Sequence, residues 1–533
     1  MKYMRKLTSL LIALVMLFVL TTTAFGATVT VPSDGILKDH TFTAFQIFSG
    51  REEDGILSDI SSWGSGINGD AFLAALKADT TYGSLFTNCA DAAAVAKVLG
   101  ENNTQIGLAN TVAKLAYANK TGTGTALTSG ENTLDDGYYL IVDTTADVGE
   151  GGAYNTALLL VVGNKAIKVK TDAPTVEKKV LEDDKYNQND GYGTGYNDVA
   201  DYNMGDAVPF HLIGSVPDMS RYDTYKYIFH DTLSAGLTAP DQADVQVYLS
   251  ADKSLDASDE VVTSECNVVV SSPNITVTFD DLKAVIGRRG SKFVIVAYTA
   301  TLNQNAVVGL DGNPNEVYLE YSNKPDQSGS GDTNNTGKTP EDKVIVFTYE
   351  LDTTKVDGQD NTKKLEDAEF VLYRKESDNS KKYATVDANF KVTGWTGNEE
   401  ESTKLTSDAN GLFRVIGLDD GTYYLKETKA PSGYNLLSSD IEVVITATTT
   451  NGQNWTDGVA SSALTNLAVT AGGNAGTGDI NTGIAAITVA NNKGSTLPET
   501  GGIGTTIFYI AGGVLVLAAA VLLVTRKRMS VKD

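Results

Sequence analysis

Residues 421–434 read Gly421-Thr-Tyr-Tyr-Leu-Lys-Glu-Thr-Lys-Ala-Pro-Ser-Gly-Tyr434. The run from Gly421 to Thr428 is strand-like, and its decisive residue is Glu427, an acid expected to face inward. A buried carboxylate costs on the order of several kcal/mol unless it is paired or neutralised. Burial also raises its pKa, so it can stay protonated at neutral pH. Further strands surround this one: Val344 to Lys355, Ala368 to Tyr373, Gly411 to Ile416, Ile441 to Ala447 and Ile484 to Ala490. Together they predict an all-β sandwich over residues 343–494. Its last strand runs almost directly into Leu497-Pro498-Glu499-Thr500-Gly501.

Beyond that pentapeptide, Ile507 to Val524 is an uncharged run of 18 residues followed by Arg526-Lys527-Arg528. At ~1.5 Å rise per residue the run is ~27 Å long, close to the ~30 Å hydrocarbon core of a bilayer. It is expected to be a transmembrane helix over 507–524, with the basic cluster on the cytoplasmic side. At the other end, Lys2, Arg5 and Lys6 precede a mostly apolar stretch, Leu7 to Leu20, and Ala24-Phe25-Gly26 offers small residues for cleavage before Ala27. Residues 1–26 therefore read as a cleaved secretory signal peptide.

The 533 residues suffice for about three domains, and the net charge of −25 argues against nucleic-acid binding. The Gly-, Thr-, Val-, Asn- and Asp-rich composition favours strands and turns. The two cysteines, Cys89 and Cys266, fall in different domains, so no disulfide is expected; His40, His211 and His230 lack metal-ligand spacing. No metal or cofactor is expected. An N-terminal domain (27–171) opens with Phe42 to Phe48, in which Phe42, Ala44, Gln46 and Phe48 are expected to share a face. Helical segments Ala71–Lys77, Ala90–Leu99 and Thr111–Asn119 follow, and strands then return at Gly137–Val142 and Ala157–Val162. A second domain (172–323) alternates short strands with turns. Its loop with Asn187, Asn189, Asp190 and Gly191 lacks the EF-hand spacing and reads as solvated. Residues 324–342 read as a polar linker, and 495–533 as the terminal sorting segment.

The order of LPETG, apolar span and basic tail resembles the cell-wall sorting signal of Gram-positive surface proteins. The resemblance implies that a sortase cuts between Thr500 and Gly501 and passes the threonine acyl group to an amine. The Tyr424–Tyr434 segment resembles the E-box of Gram-positive pilins and their CnaB-type, SpaA-type Ig-like domains. In that family the acid polarises an Asn carbonyl, and a buried neutral Lys attacks it. Ammonia leaves, and an isopeptide bond remains between the first and last strands of the domain, which are neighbours in the fold. Lys355 is in phase with Tyr349, Leu351 and Thr353, and Asn491 with Ile487 and Val489, so the set carried over is Lys355, Glu427 and Asn491; Asn492 is out of phase.

Pro174-Thr-Val-Glu-Lys178, Tyr227 to Leu237 and Asn315 to Asn323 are similar to the D2, or CnaA-like, domain of backbone pilins. This implies Lys178, Asp231 and Asn315, with Lys179 and Asn323 as the nearest competitors. The N-terminal domain offers only Gln46 and Asp143 at the matching places, and no bond is expected there. The lysine that accepts Thr500 matches Lys170 by position, with Lys168 and Lys165 as alternatives. The expected fold is mostly β: tandem Ig-like sandwiches, CnaA-like and CnaB-like, the first with a helical insertion. The resemblance implies a non-enzymatic major pilin, self-cross-linked in a single event. Its partners would be sortase, neighbouring subunits in a covalent homopolymer, and peptidoglycan, with host surface molecules left open. The protein would be secreted, held briefly in the membrane, then fixed to the wall in a surface pilus. A monomeric wall-anchored adhesin and a minor pilin at tip or base remain alternatives.

Overall fold

The computed structural model describes residues 27–163, 165–168, 172–182, 191–287, 289–325, 336–450, 453, 455, 458–495 and 503–529. The signal peptide, Asn187 to Asp190, Lys170 and the pentapeptide 497–501 lie outside these residues. Three β-sandwiches follow one another, and a helix at Ile503–Met529 closes the chain. Its Thr506–Met529 part is long and apolar enough to cross a membrane.

In the first sandwich Ala27–Val31 lies between Gly130–Leu134 and Lys165–Ala166, facing a sheet ordered Ile56–Trp63, Phe42–Glu53, Gly137–Asp143, Leu158–Val161. Helices Gly69–Ala78, Gly83–Phe86, Ala92–Glu101 and Ile106–Ala118 form the insertion. The two ten-residue helices start where an Asx side chain caps them: Asn68 accepts from Ala71 N–H and Asp91 from Ala94 N–H. The insertion packs Phe72, Leu76, Val95, Leu108 and Val112 against Phe48 and Leu140, outside the sandwich core of Val29, Val31, Phe42, Ala44 and Ile141. The expected alternation from Phe42 to Phe48 breaks, because the register shifts between Gln46 and Phe48. This β-bulge turns Ile47 inward. Gln46 is half-buried and its Nε2 donates to Asp136 O.

The second sandwich has Val176–Leu181, Ala207–Ser215, Phe293–Leu302 and Gln246–Ser250 on one side. On the other side are Asp342–Phe347, Asn313–Ser322, Tyr227–Leu233 and Asn274–Phe279. Here the structure departs from the reading of Val344–Lys355 as one strand opening the third domain. The run is broken at buried Thr348, whose hydroxyl donates to Leu418 O. Its first half, Asp342–Phe347, pairs antiparallel with Asn313–Ser322 and parallel with Val199–Asp201, inside the second domain. Thr336–Lys338 also pairs with Asn313–Ser322, so part of the expected linker is sheet.

The third sandwich begins at Tyr349–Asp357, which runs parallel to Ile484–Asn491, with Lys355 opposite Val489 and Asp357 opposite Asn491. The facing sheet holds Glu369–Lys375, Gly421–Lys429, Ile441–Thr449 and Leu464–Ala471. A single apolar core runs through both the second and third sandwiches. At their junction Met204 N–H donates to Gly417 O, and Asn203 Oδ1 accepts from Asp419 N–H and Tyr423 OH.

Candidate cross-linking sites and wall anchor

In the third domain the strand period of two places Lys355, Glu427 and Asn491 in the core, each no more than 5 % exposed. Lys355 and Asn491 come from adjacent parallel strands of one sheet, and Glu427 reaches across from the other. Asn491 Nδ2 donates to both Glu427 oxygens at 3.0 Å and to Asn435 O at 2.9 Å. Leu437 N–H donates to Glu427 Oε2 at 2.8 Å. Lys355 Nζ donates to Val489 O at 3.2 Å. Burial pulls the Lys355 amine down to about 8, against the opposing pull of Glu427. A minor but far larger fraction of the amine than in an ordinary lysine is therefore uncharged and nucleophilic near neutral pH. Glu427 touches the amide nitrogen and not the carbonyl oxygen expected from the sequence. Asn491 Oδ1 has no partner among the described residues. In this arrangement Glu427 is held by hydrogen bonds from the Asn491 amide and the Leu437 N–H.

The second domain builds a comparable set differently. Lys178 comes from one sheet, and Asp231 and Asn315 from the facing one. The expectation that the lysine and asparagine strands are neighbours, first and last, therefore fails here. They face across the sandwich, and the last strand is Asp342–Phe347. Lys178 Nζ donates to Asp231 Oδ1 and, at 3.2 Å, to Tyr298 OH. Tyr298 OH donates to Asp231 Oδ2 at 2.5 Å and accepts from Asn315 Nδ2 at 2.7 Å. Burial drives the Lys178 amine down and the Asp231 carboxyl up, each opposed by its partner, so both lean toward their neutral forms. Tyr298 links the acid to the Asn315 amide nitrogen. The sequence reading missed it because an aromatic on an alternating strand reads as core packing. Asn315 Oδ1 has no partner among the described residues.

The competitors fall elsewhere. Lys179 is buried on the other face of its strand, beside Asp198, and Asn323, also buried, lies beyond the end of its strand. In the first domain Asp143 is buried, but no lysine among the described residues there is. Asp143 instead accepts from His40 Nδ1 at 2.7 Å, Thr145 Oγ1 at 2.6 Å and Asn155 N–H at 2.7 Å. Burial works to raise its pKa; these donors outweigh it and hold the carboxyl below its usual range. Lys165 and Lys168, both a few residues before Lys170, are exposed. Cys89 and Cys266 are free thiols. Among the described residues, Asp201, Asp419 and Asp420, at the junction of the second and third domains, are the one set of three or more His, Cys, Asp or Glu side chains whose ligand atoms lie within 4.8 Å of one another.

Residues 349–458 match the SpaA prealbumin-like fold domain, which begins at the strand that carries Lys355. Residues 489–530 match the LPXTG cell wall anchor motif. The chain is an LPXTG wall-anchored surface protein. This anchored protein is 23 % identical over 384 residues to the trypsin-resistant surface T6 protein of Streptococcus pyogenes serotype M6, a match covering 61 % of the chain and 65 % of that protein. The chain thus aligns with just under two thirds of that relative's length. The solved T6 backbone pilin of serotype M6 S. pyogenes, described as a modular three-domain structure, superposes with a TM-score of 0.52 at 17 % identity. That superposition covers 89 % of the anchored protein and all of the pilin structure, and it shows the shared fold. The full-length major pilin SpaD of Corynebacterium diphtheriae gives a TM-score of 0.45 at 16 % identity, covering 88 % of this chain and 98 % of its own.

Proposed function

We propose that the chain is the backbone subunit of a covalent surface pilus, stiffened from within by Lys355–Asn491 and Lys178–Asn315 isopeptide bonds. The observation that carries this reading is the pair of buried Lys/acid/Asn sets in successive sandwiches directly upstream of an LPXTG anchor. In each set the ε-amine attacks the asparagine Cγ, the Cγ–Nδ2 bond breaks, and ammonia leaves. In the third domain Glu427 takes a proton from the attacking Lys355 nitrogen and passes one to the leaving group. In the second domain Asp231 takes a proton from Lys178, and Tyr298 passes one to Asn315. A dry interior favours the neutral reactants. Sortase would cut after Thr500 and transfer it to Lys170 of the next subunit, with the exposed Lys168 and Lys165 as nearby substitutes. The last subunit would go to peptidoglycan. The protein catalyses no turnover; each internal bond forms once.

Two measurements test this. Intact mass of the full chain should fall short of the sequence mass, after signal removal, by at least two ammonias, one for each Lys–Asn bond. Glu427→Ala and Asp231→Ala should each restore one. A folded sample with no deficit overturns the internal cross-links. Separately, wall extracts should give a ladder of SDS-resistant species that disappears when Lys165, Lys168 and Lys170 are all changed to arginine, with Lys170→Arg alone giving the largest single loss. A single band in the wild type sinks the pilus and leaves a monomeric anchored adhesin.

A further inference from the structure

Lys178 and Lys179 are consecutive on Val176–Leu181, so their side chains leave opposite faces of the strand. Ordinarily one of such a pair would meet water. Here Lys179 is as deeply enclosed as its neighbour: its Nζ lies 2.5 Å from Asp198 Oδ1, with the two side chains 3 % and 4 % exposed. The other Asp198 oxygen, Oδ2, accepts from the backbone N–H of Trp455 at 3.0 Å. Trp455 belongs to the third domain, so the two oxygens of one carboxylate are held by different parties, an amine at Oδ1 and an amide N–H at Oδ2. A second carboxyl, Asp342, accepts from Lys178 N–H at 2.6 Å and lies within electrostatic reach of both Lys179 and Asp198. Burial raises the Asp198 carboxyl above its ordinary range, opposed by Lys179. An ion pair so placed has lost its water on both sides, and its mutual attraction repays that loss only in part.

We propose that Lys179 and Asp198 become joined by an amide, a third internal cross-link. The Lys179 nitrogen attacks Asp198 Cγ; the N–Cγ bond forms and the Cγ–Oδ1 bond breaks. Two of the three ammonium protons leave with Oδ1 as water, so the step needs no other reactant. Oδ2 remains as the amide oxygen. The Trp455 N–H already bound there stabilises the negative charge that passes through it, as an oxyanion hole does. Because that donor comes from the third domain, the site is complete only after the second and third domains have docked. The bond would then tie Val176–Leu181 to the turn that leads into Asn203 and Met204 at the junction. This proposal stands apart from the Lys–Asn bonds: it uses other residues and loses water, not ammonia.

The test is a peptide map of the full chain, purified in detergent, denatured, digested and read by tandem mass spectrometry. A branched peptide joining Lys179 to Asp198, lighter by one water than its unlinked parts, is expected. Lys179→Arg keeps the cation facing Asp198, but a guanidinium stays protonated in proteins and cannot attack. It should remove this branch and leave the Lys355–Asn491 branch untouched. In Asp198→Asn the same product amide should form with ammonia as leaving group, giving a branch of unchanged mass. Should either variant fail to fold, the wild-type map still decides. Linear peptides only for Lys179 and Asp198 overturn the proposal, whatever the state of the Lys178 and Lys355 pairs.

Discussion

Glu427 and Asp231 serve similar sets of residues yet touch different atoms. Glu427 grips the asparagine nitrogen directly, whereas Asp231 grips the lysine and reaches the asparagine only through Tyr298. Tyr298→Phe should therefore slow cross-linking in the second domain alone. Positioned proton transfer contributes about 10²–10⁴-fold, so a rate drop of at least ~10²-fold is expected. Timed refolding followed by peptide mapping measures it; an unchanged rate would remove Tyr298 from the proton path. The pH dependence of Lys355 can be read in Asn491→Ala, where the amine stays free. Its folded pKa is about 8 against an ordinary 10.5, so between those values the unfolded chain binds more protons than the folded one. Stability should then rise with pH across that window and fall away as pH drops toward about 8. Denaturant titrations of this variant, compared with Lys355→Met/Asn491→Ala, give the slope. Identical slopes in the two would mean that Lys355 does not titrate as a buried amine.

At the scale of elements, alternation made much of the third-domain set legible. A strand period of two fixes which of Lys355, Thr354 and Thr353 point inward, and likewise Asn491 against Asn492. The strands' owners were not legible. Val344 to Lys355 is continuously strand-like, and only long-range pairing sends Asp342–Phe347 to the second domain and Tyr349–Asp357 to the third. Nor did the sequence reveal that both faces around Lys178 and Lys179 are covered. That cover comes from Asp342–Phe347 on one hand and from Trp455, far along the chain, on the other. The bulge at Gln46 was equally hidden, since period counting assumes a regular ladder. The element where these pieces meet is Gly417, at φ +93°, where a Cβ would fall 2.5 Å from Met204 Cγ and Sδ. Gly417→Ala combines backbone strain with overpacking and should destabilise the chain by ~1–3 kcal/mol. Equilibrium unfolding measures this, and a change within experimental error would mean that the Met204 contact does not hold the junction.

For the whole molecule, the continuous core predicts that the second and third domains melt together. The first domain meets the second largely through polar contacts: Lys114 with Asp223, Lys338 with Glu150, Arg221 with Asn110, and Tyr154 N–H with Asn323 O. Calorimetry of the Asp231→Ala/Glu427→Ala chain, free of both Lys–Asn bonds, should show one transition for the first domain and one joint transition for the other two. Separate melting of the second and third domains would show that the shared core does not couple them. With the bonds present, closing a loop on the order of 100 residues adds ~4.7 kcal/mol in the chain-entropy picture, and the joint transition should move to higher temperature.

The parallel pairing of Tyr349–Asp357 with Ile484–Asn491 also imposes a timetable. A secreted chain crosses the membrane from its N-terminus, so Tyr349–Asp357 emerges early; it can pair with Asp360–Lys364 and Leu412–Leu418 as they appear, but its parallel edge waits while more than a hundred residues follow. Its partner strand arrives last, with Asn491 only six positions before Leu497. The apolar helix that stops the chain in the bilayer thus holds the newly exported protein still at the moment when its final strand becomes available. Completion of the fold and presentation of the cleavage motif become a single event in export, and a chain that stalls before residue 484 reaches neither.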